Sequence, residues 1–109
     1  MNVAAQEYVM VYIVAANRDE ARNIANVLVG AKLVACVNIL GEVTSVYRWD
    51  GKIEEATEVA LVAKTRAALC DDVRGKVKSI HSYDVPCIVA YPMSDGHAPY
   101  LNWIHNETA

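Results

Sequence analysis

Leu33-Val-Ala-Cys-Val-Asn-Ile-Leu-Gly-Glu-Val-Thr-Ser-Val-Tyr-Arg-Trp49, then Asp50-Gly51, then Lys52-Ile-Glu-Glu-Ala-Thr-Glu-Val-Ala-Leu-Val-Ala-Lys64: two strand-like runs meet at an Asp-Gly dipeptide. Asp-Gly between such runs favours a two-residue hairpin turn, because both central residues take positive φ. Gly41 inside the first run marks a bulge or bend. Arms of ~13–16 residues at ~3.3 Å each span ~43–53 Å. A compact chain of this length has a radius of gyration of ~13 Å and a diameter of ~30–35 Å. The tip should therefore overhang the body. An overhanging ribbon is not stable alone, so Tyr47 and Trp49 are expected at an oligomer interface.

Working outward, Tyr8 to Ala16 is a β-branched and aromatic run, a buried strand. Asn17 offers an N-cap and Glu20 sits three residues on, as in a capping box. Ala21, Ile24, Ala25, Leu28 and Ala31 follow at helical spacing, with Gly30 near the helix end. Beyond the hairpin, Leu69, Val73, Val77 and Ile80 lie on one face of a second helix. Pro86 sets off another apolar strand, Cys87 to Met93. Pro99 suits the first turn of a last helix, which offers Tyr100, Trp103 and Ile104 on one face. The order is β-α-β-β-α-β plus a C-terminal helix, an α+β ferredoxin-like split βαβ sandwich with helices over one face of an antiparallel sheet. All 109 residues fit one domain.

The strands are apolar at consecutive positions in Val9–Val14 and Val59–Val62, although neighbouring residues point to opposite faces. An antiparallel sheet with one wet face should alternate. The bare face therefore needs a partner, and a second copy of the chain is the natural one. The apolar fraction of 54% agrees with such surplus burial.

A formal charge of −3 without a basic stripe argues against nucleic acid and anionic membrane as partners. No apolar run approaches the ~20 residues a membrane helix needs, and Met1 to Glu7 lacks the pattern of a secretory signal. Cys36, Cys70 and Cys87 are an odd set without CxxC spacing, which suits a reducing, cytoplasmic setting. The strands bearing Cys36 and Cys87 are expected at opposite sheet edges, ~14 Å apart, beyond the ~7 Å a disulfide tolerates. Cys36 reads either as a small core hydrophobe or as a soft metal ligand. His81 reads either as a helix C-terminal histidine or as a cleft histidine able to bind metal. His97 and His105 are eight apart and make no metal pair by themselves. Glu58 and Lys64, six apart on one strand, share a face, as a solvated ion pair or as cleft residues. Tyr83, Tyr100 and Trp103 read as interface packing or as the aromatic wall of a ligand cleft. No GxGxxG, P-loop, GxSxG or HExxH is present, so no enzymatic reaction is expected.

Several segments carry a family resemblance. Lys32-Leu-Val-Ala-Cys-Val-Asn-Ile39 resembles K-L-A-A-C-V-N-I, and Ser45-Val-Tyr-Arg-Trp-Asp-Gly-Lys-Ile-Glu54 resembles S-x-Y-x-W-x-G-K-I-E. Glu58 with Lys64-Thr65, His81-Ser-Tyr-Asp-Val-Pro86 and Tyr100-Leu-Asn-Trp-Ile104 are similar to E-x5-K-T, H-P-Y-x-x-P and Y-L-x-W-I. In this order, over about residues 8 to 105, they are the marks of the CutA divalent-cation tolerance proteins. The chain departs from the pattern at Ser82, where a proline is usual, and at Cys87, where an acid is usual. The first loosens a turn and the second changes the charge near a cleft.

The resemblance implies a homotrimer built like PII signal proteins, with clefts between subunits and no established reaction. It implies weak binding of copper or another divalent cation, with no obligatory cofactor. Cys36 is the one cysteine matched to those implicated in copper binding in some members, and His81 joins it as a candidate metal residue. The alternative is a PII-like small-molecule module using Glu58, Lys64, Tyr83, Tyr100 and Trp103 in the clefts.

Overall fold

The computed structural model describes residues 7–109. The reading of Met1 to Glu7 as free of a secretory pattern lies almost wholly outside the described residues. Eight elements follow in order: β1 (Tyr8–Ala15), α1 (Arg18–Gly30), β2 (Cys36–Trp49), β3 (Lys52–Arg66), a 3₁₀ turn (Ala67–Leu69) running into α2 (Cys70–Ile80), β4 (Ile88–Pro92) and α3 (Ala98–Glu107). The sheet order is β2-β3-β1-β4, and every neighbouring pair is antiparallel. This is the α+β ferredoxin-like arrangement that the sequence implies. Cys36 opens the β2 edge and Cys87 precedes the β4 edge, as expected, and these two and Cys70 of α2 are all free.

Residue alternation assigns the two sheet faces. Val9, Val11, Ile13 and Ala15 of β1 and Val59, Leu61 and Ala63 of β3 meet Ala21, Ile24 and Leu28 of α1 and Val73 and Val77 of α2. Each fully buried aliphatic side chain there contributes about 1.5–3 kcal/mol. Thr65 closes one end of this core, and its Oγ1 donates to the Leu33 carbonyl at 2.6 Å.

The first helix begins as the sequence suggests. Asn17 Oδ1 accepts from the Glu20 amide at 2.8 Å. Glu20 does not close the reciprocal half of a capping box; its Oε1 accepts instead from the Ala16 amide at 2.9 Å. At the other end Gly30 is still helical and the left-handed residue is Lys32, at φ 60°. The Leu33 amide bonds the Leu28 carbonyl and the Lys32 amide bonds the Val29 carbonyl, a Schellman cap with lysine where glycine is usual.

The hairpin turns at Asp50 and Gly51, with φ 53° and 74°, so Trp49 pairs with Lys52. Both values are positive, as a type I′ turn requires. Gly41, at φ 115°, sits at a register shift after Ile39, the bulge expected there. The chain extends 49 × 26 × 22 Å with a radius of gyration of 14.6 Å, and the hairpin accounts for the long axis.

One expectation is corrected. The helices do not all cover one face: α3 packs on the opposite side, where Leu101 and Ile104 close over Tyr8 and Ala35. Leu101 rather than Tyr100 or Trp103 is the second buried residue of α3. Apolar residues on both sides of β1 are thereby explained in part, since its Tyr8 end is covered on both faces.

Candidate functional site

The face carrying α3 gathers most of the residues that the sequence singles out. Its side chains follow from register. Cys36, Lys64, Met10 and Tyr91 form one row across all four strands. Glu58 lies two rows beyond Val62 on the same face, opposite Val43, with Tyr47 and Trp49 further toward the tip.

Near α3, Lys64 Nζ donates to Asn38 Oδ1 at 2.9 Å and to the Tyr100 hydroxyl at 3.3 Å. The same hydroxyl lies 3.5 Å from Cys36 Sγ. The Lys64 ammonium also stands 5.5 Å from the Tyr100 ring centroid, and Tyr100 and Trp103 are 5.5 Å apart, inclined at 34°. The hydrogen bond with Cys36, followed by burial, raises the Tyr100 pKa against the opposing pull of Lys64. The phenol therefore stays protonated and able to donate. The sequence motifs pick out Cys36, Lys64, Tyr100 and Trp103; Asn38 carries no signal of its own beyond alternation on β2.

A second cluster forms where α2 ends. His81 is fully buried at the side chain. Its Nδ1 accepts from the Tyr83 amide at 3.0 Å, so its Nε2 carries the hydrogen and donates to the Val14 carbonyl at 2.8 Å. Glu20 Oε2 accepts from the Ser82 amide at 2.9 Å, which ties this loop to the start of α1. The Tyr83 hydroxyl donates to Glu58 Oε2 at 2.8 Å. Burial first, and then the Glu58 carboxylate, push the Tyr83 phenol up to about 12. Burial likewise raises the Cys87 thiol, with Glu58 adding to the effect. Ser82, where the family pattern has proline, uses its amide to reach Glu20, a bond that proline could not make.

Glu58 and Lys64 do share a face, but six strand residues separate them by ~20 Å and each has other partners. They belong to two clusters and form no ion pair. Cys36 and His81 are likewise not brought together. Both His81 nitrogens are engaged, and a metal ion there would have to displace the Tyr83 amide. Cys36 has a phenol beside it rather than a second thiolate or imidazole. Among the described residues no group of three His, Cys, Asp or Glu side chains is placed to hold a metal ion.

Between the clusters and the hairpin tip runs an open groove of about 790 Å³, whose lining includes Val14, Tyr47, Trp49, Glu58, Tyr83 and Cys87. The arm beside it is bare on both sides. Trp49 is 60% exposed on the groove face, and Ile53 is 73% exposed on the other. Sequence reasoning missed Glu20 as the tie between loops; its place in the capping-box pattern was the available signal.

The sheet order, the long bulged hairpin and the two side-chain clusters define a ferredoxin-like α+β protein. The sequence profile of the CutA1 divalent ion tolerance protein family matches residues 9–107, and the chain belongs to that family. It is 47% identical over 94 residues to the divalent-cation tolerance protein CutA of Archaeoglobus fulgidus, covering 86% of this chain and 91% of that one. It is 40% identical over 100 residues to the chloroplastic protein CutA of Arabidopsis thaliana, covering 92% of this chain. The chain spans 55% of the length of that plant relative. Among solved structures, a periplasmic divalent cation tolerance protein CutA from Archaeoglobus fulgidus superposes with a TM-score of 0.92 at 43% identity, over 94% of this chain and 99% of that one. The divalent cation tolerance protein from Thermus thermophilus gives 0.91 at 39% identity, over 94% and 99%.

Proposed function

We propose that the chain is a single-domain, homotrimeric divalent-cation tolerance protein that binds copper or another divalent ion weakly, between subunits. The observation that carries the reading is the bare hairpin arm beside an open groove. Trp49 and Ile53 lie exposed on opposite sides of a ribbon that its own subunit does not cover. A neighbouring copy supplies that cover, and in a closed ring each subunit gives and receives one arm. Among the described residues Cys36 is the single soft ligand at this place, so a metal ion there takes its other ligands from a second copy. A thiolate suits copper(I). The archaeal and Thermus relatives are named divalent-cation tolerance proteins, which supports the cation part of the reading. The three free cysteines favour a reducing, cytoplasmic setting, and no reaction is assigned to the protein. No helix of the described residues is long and apolar enough to cross a membrane.

Calorimetric titration with copper, zinc and cadmium tests the metal part. The account expects binding of millimolar strength or tighter by the oligomer, weakened in Cys36→Ser. An absence of binding at that level contradicts it. A second reading, a PII-like small-molecule module, is favoured by one observation: Lys64 is held in a partly buried site by neutral partners alone.

A further inference from the structure

Of the five lysines, Lys64 alone is part-buried; the other four are exposed. Its ammonium has two neutral partners, Asn38 Oδ1 and the Tyr100 hydroxyl. Among the described residues no carboxylate lies within 4.0 Å of it, and residues 1–6 contain no acid. Both contacts lie at the surface, and neither sets a negative charge against the ammonium. One of its three N–H groups remains to receive an anion. Beside it, Tyr100 and Trp103 are packed against each other yet remain 38% and 39% exposed, and Met10, next in the same row, is 38% exposed. A single positive point thus adjoins an apolar, partly aromatic bed. The next cation on this face, Arg66, is turned toward the end of α3, where its guanidinium donates to Thr108 Oγ1 at 2.9 Å and to the Thr108 carbonyl at 2.7 Å. Among the described residues no second cation is hydrogen-bonded into this cluster, so its single charge suits a monoanion.

From this geometry we propose that Lys64, Tyr100 and Trp103 form a binding site for a small monocarboxylate with an apolar body. The inference rests on the small-molecule reading and gives it a ligand class. The carboxylate takes the free Lys64 N–H and the Tyr100 hydroxyl, whose proton turns to it from the longer 3.5 Å contact with Cys36 Sγ. The apolar body lies on Tyr100, Trp103 and Met10. The site is ~40 Å along β3 from the chain's own hairpin tip.

Calorimetry with benzoate and its neutral counterpart benzamide tests the proposal on the full chain. Benzoate should bind at least about tenfold more tightly, the effect of one charge-assisted hydrogen bond. Lys64→Met should abolish that preference. Tyr100→Phe should weaken benzoate several-fold and leave benzamide unchanged, which covers the case in which the lysine variant folds poorly. Equal binding of the two probes, or no benzoate binding by the folded protein up to about 20 mM, overturns the proposal. If the wild type ignores benzoate and Lys64→Met dissociates the oligomer, the missing anion is a neighbour's carboxylate and the proposal also falls. A thermal-shift screen separates the two levels. Neutral ligands that stabilise the protein regardless of Lys64 sink the carboxylate and keep the small-molecule reading, whereas a flat screen removes both.

Discussion

Glu20→Ala should be among the most damaging single changes outside the apolar core. The Glu20 carboxylate accepts the Ala16 amide on Oε1 and the Ser82 amide on Oε2, each at 2.9 Å. It therefore joins the β1–α1 connection to the loop that follows α2. Hydrogen bonds to a charged group contribute about 1.5–3 kcal/mol each. Both amides can recover water in part, so the loss in Glu20→Ala is about 2–4 kcal/mol. Glu20→Gln retains one acceptor oxygen and should lose about 1–2 kcal/mol. The pH dependence follows from the same contacts. Burial alone would raise this carboxyl, but the Ala16 amide and the Ser82 side chain and amide outweigh it and hold the pKa below its ordinary 4.5. A lowered pKa contributes stability that is present above the unfolded value and lost as pH falls through the folded one. Urea unfolding at fixed protomer concentration, followed from neutral pH into the acid range, reads both effects. The acid slope should be shallower in Glu20→Gln. Stability of Glu20→Ala within about 0.5 kcal/mol of wild type, with an unchanged acid slope, would refute the reasoning.

Other substitutions probe particular elements. Lys32→Gly should stabilise the chain by up to about 1 kcal/mol in the same assay, because Lys32 occupies the left-handed position of a Schellman cap; a destabilisation counts against the strain argument. Thr65→Val should cost about 1–2 kcal/mol, since it removes the side-chain bond that the Leu33 carbonyl accepts inside a closed core; a neutral result means that the carbonyl finds another donor. Trp49→Ala should lower the melting temperature and release monomer on dilution, by about 3 kcal/mol per site if the indole is fully covered by a neighbour; a melting curve identical to wild type contradicts that burial.

Much of the fold was legible because its strongest signals are local. Asp50-Gly51 requires two positive φ values and has them, and Gly41 marks a bulge that the register confirms. Asn17 caps α1 for the reason that its side chain suggests. What escaped the sequence depends on tertiary position. The side of the sheet that α3 takes is decided by Leu101 and Ile104 meeting Tyr8 and Ala35, contacts between residues far apart in the chain. The Lys32 cap defied the glycine rule because three backbone bonds around it outweigh the cost of one left-handed residue. For the site, period-two alternation placed Glu58 and Lys64 on one face, yet it could not show that Tyr83 claims one and Tyr100 the other. His81 stood out as a titratable residue in a motif. Whether both of its nitrogens were free was decided by the Val14 carbonyl and the Tyr83 amide, backbone groups that carry no sequence signature.

The central claim is that the exposed arm and groove exist to meet neighbouring copies. Sedimentation equilibrium of the purified chain at micromolar concentration tests it most directly. The account predicts a single species with three times the 12.0 kDa protomer mass, stable on dilution and broken by Trp49→Ala. A wild-type species at the protomer mass would contradict it, and with it the assignment of metal binding to ligands shared between subunits.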